Sequence, residues 1–346
     1  MTFSNSLINW YLQNKRDLPW RKTTDSYVIW LSEIILQQTR VAQGLPYFES
    51  FVSNFPSVFD LANAQEEQVL KLWQGLGYYS RARNLHATAK HVVGELNGVF
   101  PTTYDQLIKL KGIGSYTASA IASFSVNENV AVLDGNVFRV LSRYYKVEND
   151  LSIASTKKIF QQLANEILPI QDAQTYNQAI MEFGALQCVP KSPNCSICIL
   201  ADSCAALQYK LVHSLPIKSK KIKVTNRYFN YVVFEDLEHK TIVHKRIEKG
   251  IWQNLYEFPL VESHAILSES EIVKLIKDRF SSTFKITNYT VLTDFEIIHK
   301  LSHQKLHIQF IKVSINAVLF NGVTVNALNK IPFPVVIHNF IERHFS

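Results

Sequence analysis

The chain has 346 residues, enough for about two domains, with 47% hydrophobic and 19% charged residues. That balance supports buried cores and excludes a disordered or low-complexity polymer. No apolar run reaches the roughly 18 residues that cross a bilayer, and the opening Met1-Thr2-Phe3-Ser4-Asn5 lacks a basic-then-apolar leader. A soluble, intracellular (cytoplasmic) protein with no membrane association is expected. The net charge of +7 is unevenly placed: 18 Lys+Arg against 17 Asp+Glu up to Leu215, then 18 against 12 from Pro216 onward. Much of the excess is the run Lys218, Lys220, Lys221, Lys223 and Arg227. A solvated linker explains that run as well as a polyanionic partner does.

In chain order, Tyr27–Ala42 is dense in apolar residues and long enough for a helix. Further helices are predicted near Ala64–Trp73, Arg81–Leu96, Tyr104–Leu110, Tyr116–Phe124, Val137–Tyr145, Thr156–Ile167 and Thr175–Leu186. Glycine or proline punctuates most of the gaps. The texture then changes. Tyr228–Phe234 and Thr241–Arg246 are β-branched or aromatic runs that suggest a hairpin. An amphipathic helix near Glu269–Phe280 and strands near Thr287–Leu292 and Leu306–Val313 follow. The expected architecture is an all-α domain over 1–210, a basic linker over 211–227 and a smaller α+β domain over 228–346.

Lys111-Gly112-Ile113-Gly114-Ser115 sits between two predicted helices. Glycine lets amide N–H groups approach a phosphate, and the next helix adds its positive end. A helix-hairpin-helix over about 104–125 that grips DNA is one reading, and a tight interhelical turn is the plainer one. Asp134, in Leu133-Asp134-Gly135-Asn136, reads by itself as a helix N-cap. Glu33 lies among residues that cannot solvate a charge. If buried there its pKa rises and it holds a proton near neutral pH; an exposed helix edge is the alternative. Together, Glu33 and Asp134 in one cleft would form an acid and an ionised carboxylate, the division of labour that breaks glycosidic bonds.

All four cysteines, Cys188, Cys195, Cys198 and Cys204, fall in one C-x6-C-x2-C-x5-C segment. Four soft thiolates can close on one metal centre. Structural zinc more often uses two C-x-x-C knuckles, so a four-thiolate iron–sulfur cluster over 188–204 fits better.

These residues resemble the endonuclease III superfamily of helix-hairpin-helix DNA glycosylases. Within it, Leu18-Pro19-Trp20, Ser32-Glu33-Ile34-Ile35-Leu36-Gln37-Gln38-Thr39, Trp73-Gln74-Gly75-Leu76-Gly77-Tyr78-Tyr79 and Leu133-Asp134-Gly135-Asn136-Val137 resemble the MutY-type adenine DNA glycosylases. The resemblance implies a [4Fe–4S] cluster and a monomer that removes adenine mispaired with 8-oxoguanine or guanine in double-stranded DNA. Glu33 is implied as proton donor to the flipped adenine, Asp134 as the carboxylate facing the sugar, and Tyr116 and Asn136 as orienting groups. Trp20 and Glu182 match pocket positions that touch adenine, with core packing the competing role for Trp20. Gln38 and Tyr78 match residues that enter the duplex, and the Gly112 and Gly114 turn grips the backbone. Tyr78 and Tyr79 stand next to Arg81 and Arg83, which suits stacking plus phosphate contact, with helix-surface packing the plainer role for the two tyrosines. Tyr116 stands where bifunctional members carry a Schiff-base lysine, so base removal without efficient strand cleavage is expected.

Gly250-Ile251-Trp252-Gln253-Asn254-Leu255-Tyr256-Glu257-Phe258-Pro259 resembles a Nudix fold, but the following helix lacks the comb of glutamates that holds Mg²⁺. Lesion reading is therefore the implied role. The family's Phe-Ser-His reading loop is here Leu301-Ser302-His303, which puts an aliphatic side chain at the stacking position. The spacing of His299, His303 and His307 invites a metal, and a loop without one is the preferred reading. Competing with the adenine glycosylase are an endonuclease III-like glycosylase/lyase for oxidised pyrimidines and a non-catalytic lesion-binding protein.

Overall fold

Side-chain oxygens start the first two long helices. Thr2 accepts from the Asn5 N–H to open α1 (Phe3–Asn14), and Asp25 accepts from the Tyr27 N–H to open α2 (Ser26–Leu36). The computed structural model describes residues 2–219, 223–292 and 297–345; Lys220 and Lys221 of the basic run lie outside them. Helices continue as α3 (Val41–Asn54), α4 (Val58–Asn63), α5 (Glu66–Leu72), α6 (Ser80–Glu95), α7 (Tyr104–Leu107), α8 (Ser115–Val126), α9 (Gly135–Tyr144), α10 (Thr156–Ile167), α11 (Ala173–Leu186) and α12 (Ala205–Gln208). No helix among the described residues is long and apolar enough to cross a membrane.

The chain divides into two units. One is Met1–Asn63 with Asn84–Lys220; the other is Ala64–Arg83 with Lys221–Ser346. Residues 64–83, placed with the helical domain on sequence grounds, thus group with the second unit. Hydrogen bonds explain why: Asn254 Nδ2 donates to Glu66 Oε1 (2.6 Å), Lys245 Nζ to Glu67 Oε1 (2.6 Å) and Arg83 Nη1 to the Gln253 carbonyl (2.8 Å). The expected linker is partly anchored as well. Val212 and Leu215 are buried in a small cluster with Ala206, and Arg227 is already in a strand.

In the first unit, Leu7 and Tyr11 of α1 pack with Val137, Val140, Phe160 and Phe183 of α9, α10 and α11. Nine of the eleven residues of α2 are buried, so this helix carries Glu33 into the interior. The single helix expected over Tyr27–Ala42 is in fact two. After Leu36 the Thr39 N–H returns to the Leu36 carbonyl (3.1 Å), the Thr39 hydroxyl donates to the Gln37 carbonyl (3.2 Å), and Gln38 turns left-handed with φ 56°. These local hydrogen bonds compete with helix continuation. α7 and α8 flank the glycine turn. There Gly112 has φ +77°, and a Cβ on it would lie 2.7 Å from the Asn84 Cβ, so only glycine fits.

The second unit is built on β1 (Thr225–Glu235). The remaining elements are β2 (Lys240–Thr241), β3 (His244–Lys245), β4 (Tyr256–Glu257), β5 (Leu260–Ser263), α13 (Glu269–Phe280), β6 (Ile286–Val291), β7 (Ile297–Lys300), β8 (Gln304–Ile315), β9 (Val323–Thr324), α14 (Val325–Leu328) and α15 (Val335–Phe345). The expected hairpin between Tyr228–Phe234 and Thr241–Arg246 does not form. β1 instead runs parallel to β8 from Thr225↔Gln304 to Glu235↔Ser314 and antiparallel to β5. Within 241–246 only Thr241, which ends β2, and His244–Lys245 of β3 are in strands, and these pair with β9 and β4. Asn230–Phe234 is buried without alternation, the pattern of a parallel strand covered on both faces. One face meets Ile272 and Ile276 of α13. On the other, Phe310 stacks on Tyr231 at 5.3 Å and on Phe340 of α15 at 3.7 Å. Phe310→Ala is expected to lower the stability of this unit by about 3–5 kcal/mol, read as a lower urea midpoint.

Candidate active site

Six residues singled out in the sequence line one open cleft of about 900 Å³ in the first unit: Trp20, Glu33, Tyr116, Asp134, Asn136 and Glu182. That volume is in the range of small-ligand sites. Glu33 projects from the buried α2 and is 7% exposed. Tyr116, in the first turn of α8, donates its hydroxyl to Glu33 Oε2 at 2.6 Å. Burial raises the Glu33 carboxyl to about 7, the Tyr116 hydrogen bond and Arg21 pull it down, and the nearby charge of Asp134 pushes it up. The Tyr116 phenol is itself driven well above its usual range by burial and the neighbouring carboxylates, so it remains a donor.

Asp134 is the N-cap of α9. Its Oδ1 accepts from the Val137 N–H (2.7 Å) and its Oδ2 from Asn136 Nδ2 (2.7 Å). Burial raises this carboxyl too, but those donors and the Arg139 charge favour the ionised form. Glu33 has one hydrogen-bond donor where Asp134 has several, which separates the two carboxyls chemically. Behind them, Arg139 donates to Asn136 Oδ1 (2.8 Å), the Gly184 carbonyl (2.6 Å) and the Cys188 carbonyl (2.7 Å). Gly184 allows this approach because a Cβ there would sit 2.6 Å from the Asn136 Cβ.

Glu182 also lines the cleft, with its carboxylate held by two arginines. Its Oε1 accepts from the Arg16 N–H, Arg16 Nε and Arg21 Nη1, and its Oε2 from Arg16 Nη2 and Arg21 Nη2, at 2.5–3.0 Å. Five donors fill the roughly four lone-pair sites of a carboxylate. Burial pushes Glu182 up, and the arginine hydrogen bonds outweigh it and hold the group at about 2. Arg16 and Arg21 were not singled out from the sequence. The signal was there: a charge at Glu182, inside Ile180-Met181-Glu182-Phe183, needs a buried cation. Trp20 is half-buried and meets Phe48 edge-on at 5.1 Å.

The adenine DNA glycosylase of Buchnera aphidicola from Schizaphis graminum is 37% identical over 91% of this chain and 88% of that protein. The chain belongs to the adenine DNA glycosylase family. Residues 31–169 match the HhH-GPD superfamily of base excision DNA repair proteins, 188–204 the iron–sulfur binding domain of endonuclease III and 230–343 the NUDIX domain. The human adenine DNA glycosylase is 42% identical over 60% of this chain and 39% of its own length. A solved thermostable thymine-DNA glycosylase superposes with a TM-score of 0.55 at 26% identity, over 60% of this chain and 95% of its own.

The cysteine loop fits the iron–sulfur cluster of that family. Cys188, Cys195, Cys198 and Cys204 line one cavity with Val140, Phe183, Leu200 and Arg143. Among the described residues no three metal-binding side chains close on a single ion; the four thiols surround a shared space instead. Arg143 Nη1 lies 3.4 Å from Cys188 Sγ, and the N–H groups of Leu200 and Leu207 point at Cys198 and Cys204. Burial pushes the Cys198 and Cys204 thiols up, and four sulfurs around one space suit a cluster that takes them as thiolates.

A second cleft, of about 610 Å³, lies in the second unit between the 75–80 turn, Trp252 and the β7–β8 loop. Tyr78 is half exposed with φ 47°, and its hydroxyl hydrogen-bonds the Ser302 hydroxyl. Leu301 and His303 line the same cleft. Arg81, expected at a phosphate, is buried. Its Nη2 donates to the Leu76 and Gly77 carbonyls and its guanidinium lies 4.9 Å over Trp73 and 5.8 Å over Tyr78. It props the turn that displays Tyr78. His299 faces Trp252 at 5.8 Å while His307 stacks on Tyr228 at 4.7 Å, so the three histidines do not converge. Gln38, Gly112 and Gly114 are exposed on the first unit.

The Glu33 shift has a thermodynamic consequence. Its pKa is about 7 folded against an ordinary 4.5, so the folded state binds this proton more tightly. The resulting stability is complete below about pH 4.5 and is lost as pH rises through 7. Relative to wild type, Glu33→Gln is expected to gain stability between pH 5 and pH 8, by on the order of 3 kcal/mol. Thermal unfolding of both proteins across that range checks it.

Proposed function

We propose that this protein is a monofunctional, monomeric DNA glycosylase that extrudes adenine paired with 8-oxoguanine or guanine and hydrolyses its N-glycosidic bond. The observation that carries this is the pair Glu33 and Asp134 in one cleft, one poised to hold a proton near neutral pH and the other held by donors that favour its charge. Extrusion costs a few kcal/mol of stacking and pairing. Glu33 gives its proton to adenine N7, so the C1′–N9 bond breaks with its electron pair on a neutral base. The cationic sugar then faces the Asp134 carboxylate. Water adds to C1′, and Glu33, now ionised, takes the proton from it. Tyr116 and Asn136 orient the two carboxyls, and Trp20 with the Arg16–Arg21–Glu182 group shapes the adenine side.

Exposed amides at Gly112 and Gly114 and the side chain of Gln38 meet the duplex from the first unit. In the second unit, Tyr78, displayed by Arg81, enters beside the lesion. Ser302 and His303 read the oxidised base, whose N7–H and O8 supply a donor and an acceptor that guanine lacks. Leu301 fills space there without stacking. A phenol at Tyr116 cannot form an imine with the sugar, so no lyase step follows. The iron–sulfur cluster, bound at the four cysteines, supplies a rigid thiolate-linked anchor for the 188–204 loop.

Single-turnover incubation with duplexes carrying A:8-oxoguanine, A:G or thymine glycol tests this reading. Adenine is expected to leave from the first two, with strand breaks appearing only after alkali. The rate should fall above about pH 7 as Glu33 ionises, approaching tenfold per unit. Glu33→Gln and Asp134→Asn should each lose about 10²–10⁴-fold or more. Near-full activity in either variant, or breaks without alkali, would refute it.

A further inference from the structure

α13 covers only half of one sheet face. Val232, Ile311 and Val313 lie beneath Ile272 and Ile276. By the strand alternation, the same face continues through Asn230, Tyr228 and Asn226 on β1, Gln309, His307 and Lys305 on β8, and Ile298 and Lys300 on β7. Asn226, Ile298 and Lys300 are exposed there, and Tyr228, Lys305 and His307 are half-buried. The Tyr228–His307 stack, with Asn226 Oδ1 3.2 Å from His307 Nε2, forms the floor of this region beside a small pocket that Ile266 lines with Gln309 and the buried Asn230.

Lys300 and Lys305 are direct cross-strand partners on the two strands joined by the 301–303 loop. Like charges opposite one another in a sheet are destabilising. Among the described residues no carboxylate pairs with either lysine, although Arg227, on the opposite face, is paired with Glu262 at 2.6 Å. Two cross-strand lysines beside an aromatic and amide floor match a sugar–phosphate chain in charge and chemistry.

We propose that this open half-face is a further DNA-contact surface, on which Lys300 and Lys305 take backbone phosphates of the strand whose base is read at Ser302 and His303. The surface rests on the reading of that loop given above. The Tyr228–His307 stack and Asn226 lie against the adjoining sugars. The contact is independent of sequence, and it fixes where the reading loop meets the strand.

The test uses full-length protein in a Glu33→Gln background, which keeps the substrate intact, and equilibrium binding to an A:8-oxoguanine duplex at several salt concentrations. Two lost phosphate contacts should reduce the slope of log Kd against log salt by about 2. In Lys300→Gln/Lys305→Gln the rise in Kd between 50 and 200 mM salt should then be roughly tenfold smaller. A control pair on exposed positions elsewhere in the unit, Lys274→Gln/Lys330→Gln, should leave the slope unchanged. With Glu33 restored, the saturating single-turnover rate of the control pair should equal wild type. An unchanged slope, or an equal loss in the control pair, overturns the proposal; so would weakened binding of an acidic polypeptide with DNA binding intact. Wild type that releases no adenine defeats the parent reading instead, and the salt slope on duplex DNA is still read separately.

Discussion

The guanidinium of Arg139 is the joint on which the catalytic side of the first unit closes. It sits one turn into α9, whose N-cap is Asp134, and bonds Asn136, Gly184 and Cys188 at once. Arg143, one turn further along the same helix, reaches Cys188 Sγ and the Val189 and Pro190 carbonyls. The 3.6-residue period puts positions 136, 139 and 143 on one side of α9. The helix therefore presents its capping carboxylate at one end and grips the cysteine loop along its flank. A displacement of Cys188 reaches Asp134 through only two side chains, Arg139 and Asn136. Because Gly184 meets Asn136 without a Cβ, α9 and α11 leave no slack between them.

The buried charges of this protein behave differently because their partners differ. Glu182 is saturated by two arginines and is held strongly ionised. Glu33, equally buried, has a single phenol as donor, and its carboxyl is pushed toward neutrality. Arg81 is buried against the Leu76 and Gly77 carbonyls and the Trp73 and Tyr78 rings, and burial lowers it to about 10. Burial alone thus decides nothing about function. The number and sign of the groups that replace water decide whether a charge is a clamp, a proton reservoir or a prop.

Much of the site was legible because its chemistry is local in sequence. The spacing of the cysteines, the glycine turn and the apolar setting of Glu33 each carry their meaning within about a dozen residues, and α13 falls where its amphipathic period places it. Pairings between distant segments left no such trace. Nothing in Tyr228–Phe234 distinguishes a hairpin arm from a strand whose main partner lies some eighty residues on. The density of apolar residues around Glu33 hid the helix break at Gln37–Arg40, since hydrogen bonds of Thr39 and not hydrophobicity end α2. Arg16 and Arg21 went unnoticed because their partner is more than 160 residues away.

Residues 64–83 carry the same lesson into function. They precede the helix-hairpin-helix in the chain yet pack with the Nudix-like unit, through Glu66, Glu67 and Arg83. The turn at Gly75–Tyr78 is held by Trp73 Nε1 on the Gly77 carbonyl at 3.0 Å and by Arg81 on the Leu76 and Gly77 carbonyls. Tyr78 in turn fixes Ser302 through their hydroxyls. The 301–303 loop is therefore positioned by a segment more than 220 residues earlier, and less by its own tripeptide. An aliphatic Leu301 is compatible with such a loop, because the hydroxyl pair, the Leu301 N–H bond to Gln304 and the Thr225 N–H bond to His303 set its geometry without an aromatic ring. The departure at Leu301 then bears on contact with the base, while the framework that presents Ser302 and His303 is intact.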